Sequence, residues 1–300
     1  MVKEIIMNSK FLKIDKEKCI HCAKCVKDCV AGNLELNERK IPQWTKDGEN
    51  RCIKCQHCFA ICPTGALSIL NKNSQDADSI LEFDDENILN LIKSRRSIRY
   101  YKQQNIDSTK MNKLKDMLKW TPTGCNFHEL HFSIIDDIEV MNDFRNTVNS
   151  RIIKSLKIKP INKLLNKFSK YRDAFINGED VIFRNAPHMI VVSTPISAPC
   201  ANIDPIIALS YFELYAHSLN IGTLWCGFAT ICFTLFPDLC EYIKVPDGYK
   251  VSYVMLFGDK DVNYQRTTLP EDFEIESIKI PEKKASLLSN IKHFFLNIIR

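Results

Sequence analysis

The chain has 300 residues, a formal net charge of +5, 45% hydrophobic residues and 13 cysteines against only 9 glycines. That length holds two domains, with enough apolar content for a core of its own beyond the first quarter. The opening MVKEIIMNSK has neither an apolar stretch nor a cleavage site, so no secretory signal is expected.

Eight of the cysteines form two runs, Cys19-x-x-Cys22-x-x-Cys25-x-x-x-Cys29 and Cys52-x-x-Cys55-x-x-Cys58-x-x-x-Cys62-Pro63. Three thiolates at this spacing close on three corners of a cuboidal iron–sulfur core, and the fourth of each run reaches the other core. The spacing therefore assigns Cys19, Cys22, Cys25 and Cys62 to one 4Fe-4S cluster, and Cys52, Cys55, Cys58 and Cys29 to a second. Zinc ribbons use two pairs of ligands and have no need of a third cysteine per run. Disulfide frameworks belong to short secreted chains. Residues 11–70 resemble bacterial-type two-cluster ferredoxins, departing from them at Val30, where proline is frequent. Two oxidised clusters bring about −2 each, which leaves a net charge of about +1 and no global case for nucleic-acid binding. The other five cysteines are scattered; free thiols beside oxygen-sensitive clusters point to a reducing cytoplasm, that of an anaerobe.

The polar stretch 71–79 reads as a linker, giving an iron–sulfur domain over 1–79, a second domain over 80–282 and a basic amphipathic extension over 283–300. In the second domain the pattern predicts helices at 85–94, capped by Asp84 or Asp85, and at 108–120, after Asp107 and Ser108. Strands are expected at 130–136, 188–194 and 250–257, with a buried central helix at 203–219. The fold class expected is α+β, a mixed sheet flanked by helices. Nine Lys/Arg and no acids lie between Phe144 and Arg172. A solvated helical pair packed over the domain is expected there, the other reading being a lid or a docking face. The uncharged 218–236 is long enough to span a membrane, but its Asn, Gly and Thr content favours a core or subunit interface.

Ser94-Arg95-Arg96-Ser97-Ile98-Arg99 places three guanidinium groups around the Ser97 hydroxyl, a set suited to phosphate oxygens. It is accompanied by Thr121-Pro122-Thr123-Gly124-Cys125-Asn126, Phe183-Arg184-Asn185-Ala186-Pro187-His188, Trp225-Cys226-Gly227 and Arg266. This ordered set, over about 84–275, resembles the FMN-dependent nitroreductase family, and the whole chain resembles ferredoxin–nitroreductase fusions of anaerobes. The resemblance implies that Arg95, Arg96, Ser97, Arg99 and Arg266 hold the FMN phosphate. It implies that Pro122, Thr123, Gly124 and Asn126 approach the flavin from the neighbouring subunit of a homodimer. Trp225, Cys226 and Gly227 would present backbone amides to the reactive flavin nitrogen. His128, Phe228 and Gly258-Asp259-Lys260 depart from the family pattern, and the last puts Arg266 in doubt. No G-x-G-x-x-G is present, the phosphate-loop mimic at 222–227 lacks its Lys-Ser/Thr, and His128 to His131 is one residue short of zinc-protease spacing.

The function expected is an oxidoreductase that passes electrons from a low-potential donor such as ferredoxin through both clusters to FMN. An organic acceptor (a nitroaromatic, quinone or activated alkene) would then be reduced. Two other readings remain: an NAD(P)H-dependent flavin or ferredoxin reductase, and a non-catalytic electron-transfer or redox-sensing protein.

Overall fold

The computed structural model of the protein describes residues 5–7, 11–155 and 171–279. Residues 1–266 form one compact unit and 267–300 a second. The basic extension at 283–300 and most of the second half of the 144–172 stretch lie outside the described residues.

In the iron–sulfur part, β1 (Ile5–Met7), β2 (Leu12–Asp15) and β5 (Leu67–Ile69) form an antiparallel sheet in the order β1-β2-β5. A second ribbon pairs β3 (Leu34–Leu36) with β4 (Pro42–Trp44). Two one-turn helices, α1 (Lys24–Lys27) and α2 (His57–Ala60), each begin one residue before the third cysteine of a run. Alternate strand positions bury Leu12, Ile14, Leu67 and Ile69 against Leu34 and Ile41. A core this small stabilises little by itself, so closure of the ligand thiols on their clusters is part of what folds this region. The linker folds back on it: Ser74 Oγ donates to the Gly65 carbonyl at 2.5 Å. Beyond, Ile80, Leu81 and Phe83 are exposed.

The second part opens with α3 (Asp85–Ser94) and α4 (Ser108–Met117), whose caps are the acids expected from the sequence. Asp84 accepts from the Asn87 amide at 3.2 Å, and Asp107 from those of Thr109 and Lys110. The chain continues through β6 (His131–Ile135), α5 (Ile138–Ser155), α6 (Arg172–Ile176), β7 (His188–Pro195), α7 (Asp204–Ser218), β8 (Ile221–Trp225), α8 (Gly227–Leu235), α9 (Leu239–Tyr242) and β9 (Tyr249–Asp259). The strands pair antiparallel in the order β6-β7-β9-β8. The parallel component of this sheet is the single bridge between Ser97 and Thr223. Because side chains alternate along β7, Met189 and Val191 join a core with α5, α6, α8 and α9, while Ile190 and Val192 join one with α4 and α7.

Two expectations change in detail. The uncharged 218–236 is β8 followed by α8, and among the described residues no helix is long and apolar enough to cross a membrane. The basic stretch begins inside α5, where Arg145 is not solvated but buried, 3.5 Å from Asp180 and donating to the side chains of Asn142 and Asn185. An ion pair at that depth needs those extra hydrogen bonds to offset its lost hydration.

The arginine-bearing segment is locked to the ends of β8 and β9. Ile98 N donates to the Thr223 carbonyl at 2.8 Å, Lys102 N to that of Asp259, and Asp261 N to that of Tyr100. The approach is close enough to require glycine at 222, where a Cβ would stand 2.7 Å from Ile98 Cγ1 and 2.9 Å from Ile98 Cβ. We predict that Gly222→Ala displaces residues 97–101 and lowers flavin occupancy and thermal stability together, while iron content stays at the wild-type level. Flavin release on acid precipitation and an iron assay on the same preparation check this.

Candidate functional site

The two cysteine runs are copies of one structural unit. In the first, His21 and Ala23 take left-handed backbone angles (φ 55 and 57) between the ligands; in the second, Lys54 and Gln56 do the same (φ 59 and 61). Gly32 and Gly65 close each unit in that conformation too. Non-glycine residues held there cost about 1–3 kcal/mol each unless the surroundings over-determine them. Alternating left- and right-handed residues aim amides inward, the nest that surrounds anionic clusters. Cys29 Sγ accepts from the Asn33 amide and Cys62 Sγ from that of Ala66, both at 3.3 Å.

Cys19, Cys22 and Cys25 of the first run line one cavity with Cys62 of the second, the crossed arrangement that the spacing implies. The thiols surround that space and do not converge: among the described residues no three His, Cys, Asp or Glu meet at a point that would hold a single ion. Burial first, then the charge of Cys62, pushes the Cys25 thiol up to about 11. Burial and the neighbouring Cys52 and Cys55 push Cys58 up to about 12. Burial also acts on Cys62, but the amides of Ala66 and Thr64 outweigh it and hold this thiol below its ordinary value. Metal ligation would take the place of the proton on the buried Cys25 and Cys58, and three thiols of one run meeting a fourth from the other is a donor set that suits a 4Fe-4S cluster.

On the second part, the site gathers around one buried carboxylate. Glu213, on α7, accepts from Arg95 Nη1 at 3.3 Å, from Thr223 Oγ1 at 3.3 Å and from Trp225 Nε1 at 3.0 Å. Beside it, His217 Nε2 lies 2.9 Å from Ser94 Oγ. Burial, then the charges of Lys260, Arg95 and Arg96, hold His217 below its ordinary value against the opposing pull of Glu213. Three cations, Lys260, Arg95 and Arg96, thus stand around His217, a donor set that fits a phosphate monoester. Arg96 Nη1 donates to the carbonyls of Lys93 and Arg95, and Arg99 Nη1 to that of Ser97.

Trp225 ends β8, with its ring 5.3 Å from that of Tyr253. The Cys226 amide is committed to the Val254 carbonyl at 2.9 Å, and Cys226 Sγ caps α8 by accepting from Ala229 N. Gly227 therefore is the residue at which α8 opens, and a Cβ there would meet Tyr253 Oη at 3.3 Å.

The loop 122–126 sits elsewhere, at the other end of α7. The Gly124 amide donates to Asp204 Oδ1 at 3.0 Å. At a rise of about 1.5 Å per residue, Asp204 and Glu213 stand about 14 Å apart along the helix. Thr123 Oγ1 accepts from His128 N, and Cys125, Asn126 and His128 all have positive φ. Pro122 is exposed. Asn126 Nδ2 donates 2.8 Å to the carbonyl of Ile53, which lies between Cys52 and Cys55. Arg266 is exposed in the segment after β9, with no hydrogen bond or ion pair to the 95–99 segment among the described contacts. In the 183–188 motif, Phe183, Ala186 and His188 are core residues, so its role in this chain is structural.

A nitroreductase family pattern matches residues 92–259, over half of the chain. The chain belongs to the nitroreductase family. A 4Fe-4S dicluster domain matches residues 18–86 ahead of it, so the protein joins an iron–sulfur part to a nitroreductase part. Solved structures share the fold of the second part. A nitroreductase with bound FMN from Bacteroides fragilis is 20% identical, covers 65% of this chain and 98% of its own, and superposes with a TM-score of 0.50. One from Desulfitobacterium hafniense, also with bound FMN, is 18% identical over 66% and 100%, with a TM-score of 0.52. An FMN-dependent nitroreductase from Clostridium difficile is 20% identical over 65% and 100%, with a TM-score of 0.50. A comparison with curated proteins finds no match.

Sequence reasoning missed three residues of this nitroreductase site. Glu213 had a visible signal, the one carboxylate beyond the first residue of an otherwise apolar helix. Lys260 was read only as a departure from the family pattern, yet its bridge to Tyr101 sets it beside the arginines. His217 had no signal beyond its residue type. We predict that Glu213→Ala weakens flavin binding about ten-fold or more, equivalent to about 1.4 kcal/mol, because Arg95, Thr223 and Trp225 lose a shared acceptor. Glu213→Gln, which keeps an acceptor oxygen, recovers part of it; fluorescence titration of the deflavinated protein with FMN measures both. The cysteine assignment predicts about eight irons per chain and spin-coupled signals on reduction, checked by anaerobic iron analysis and EPR.

Proposed function

We propose that the protein is an iron–sulfur flavoprotein oxidoreductase in which electrons from a low-potential one-electron donor cross two 4Fe-4S clusters, reach FMN and reduce a small organic acceptor. The observation that carries this reading is the hydrogen bond from Asn126, on the loop assigned to the flavin, to the ligand loop of the second cysteine run. FMN supplies the conversion between single electrons and electron pairs. Nitroaromatics, quinones and activated alkenes are the acceptor class that stacks on such a ring.

The chain's own residues bind and orient. Arg95, Arg96, Arg99 and Ser97 are assigned to the phosphate, with Lys260 as a further cation, and Glu213 holds Arg95 and Trp225 in register. Gly227 leaves room at the turn that opens α8. No side-chain acid or base is required, since protons can come from solvent.

The same geometry supports a homodimer. Within one chain the Glu213 cluster and the 122–126 loop occupy opposite ends of α7, so a flavin touched by both sets is most simply shared between copies. Ile88, Leu89 and Ile92 of α3, with Ile203, Ile206 and Tyr211 at α7, leave apolar side chains exposed that a second copy would cover. Light scattering at micromolar concentration is expected to give twice the chain mass; a monomer with full flavin occupancy would remove the shared site.

Anaerobic stopped-flow tests the direction of flow. Reduced ferredoxin is expected to bleach clusters and flavin together, and NAD(P)H to bleach neither at a comparable rate. Rapid flavin bleaching by NAD(P)H with the clusters still oxidised would favour the reductase reading instead.

A further inference from the structure

The two ligand runs are built alike but are placed differently, and the difference gives the cluster pair a polarity. Ile20 and Ile53 occupy the same position of the repeat, directly after the first cysteine. Ile20 is 60% exposed, and Cys22 beside it is exposed. The His21 ring bonds to the Lys40 carbonyl, inside the iron–sulfur part. Ile53 and Cys55 are half-buried, and the Ile53 carbonyl is taken by Asn126 Nδ2 at 2.8 Å. Asn126 Oδ1 lies 2.8 Å from His128 Nε2, so the amide is oriented from both ends.

We propose that the Cys52–Cys55 loop is the electron outlet of the iron–sulfur part, that Asn126 is the positioning residue joining it to the flavin loop, and that the Cys19–Cys22 loop faces the external donor. The proposal rests on the reading that the clusters feed the flavin, and adds to it the order in which they do so. From the Cys52 sulfur the path follows covalent bonds to the Ile53 carbonyl and crosses one hydrogen bond to the Asn126 side chain. Each passage oxidises the donating cluster by one electron. Two passages, with two protons from solvent, complete a two-electron reduction of the flavin, and the external one-electron donor restores both electrons through the Cys19–Cys22 side.

The test compares wild type, Asn126→Asp and Ile20→Trp as full-length, cluster- and flavin-loaded proteins, with flavin and iron contents measured first. Each is mixed anaerobically with reduced two-cluster ferredoxin while cluster and flavin bleaching are followed separately. A carboxylate at 126 cannot donate to the Ile53 carbonyl. Asn126→Asp is therefore expected to reduce its clusters at the wild-type rate and its flavin about ten-fold more slowly. Freeze-quenched samples should then show a reduced-cluster EPR signal beside oxidised flavin, a state the wild type does not accumulate. Ile20→Trp should slow cluster reduction, with the flavin following. An Asn126→Asp flavin rate equal to wild type, or an Ile20→Trp defect confined to the flavin step, overturns the proposal alone. Wild-type clusters that become reduced and stay so beside oxidised flavin overturn the underlying reading and the proposal with it.

Discussion

A carboxylate taken out of water must be hydrogen-bonded, and Glu213 answers that requirement with three donors from two segments of the chain. Arg95 comes from the segment after α3, and Thr223 and Trp225 from alternate positions of β8. The two segments would otherwise be free to move against each other. Their common acceptor ties the arginine-bearing 95–99 segment to β8 at the point where α8 opens. The Arg95 pair is partly exposed, so its charge attraction is screened and contributes modestly; the directional bonds matter more.

A different constraint organises the iron–sulfur part. Under the ligation that the spacing assigns, each run would supply three thiols to one cluster and a fourth to the other, so neither cluster would close until both runs had folded together. The crossing ties a region with few buried residues into one cooperative unit. It also brings the two runs together, with Cys25 and Cys58 buried in one core. Against that near-symmetry, the cover over Ile53 and the exposure of Ile20 are what distinguish one cluster from the other.

Much of this was legible in the sequence. The acids at 84 and 107 marked the starts of α3 and α4, because capping depends on residues within one turn. Cysteine spacing carried the meeting of Cys62 with Cys19, Cys22 and Cys25 around one cavity, because the pattern is local within each run. The strand β8 was not legible: both of its faces meet apolar partners, which erases the alternation that marks a half-buried strand. Arg145 reads as one more cation in a basic stretch, and only Asp180 and Asn185, far along the chain, make its burial tolerable. The separation of the 122–126 loop from the arginines was equally hidden, since it depends on which end of α7 each segment meets.

Removal of the iron–sulfur part is the most direct test that the clusters supply the flavin. A protein beginning at Asp84, loaded with FMN, keeps Glu213, its three donors and the whole four-stranded sheet. The account predicts that its flavin, once reduced chemically, still reduces a nitroaromatic or quinone, while turnover driven by reduced ferredoxin is lost. An unchanged ferredoxin-driven rate in the shortened protein would contradict it.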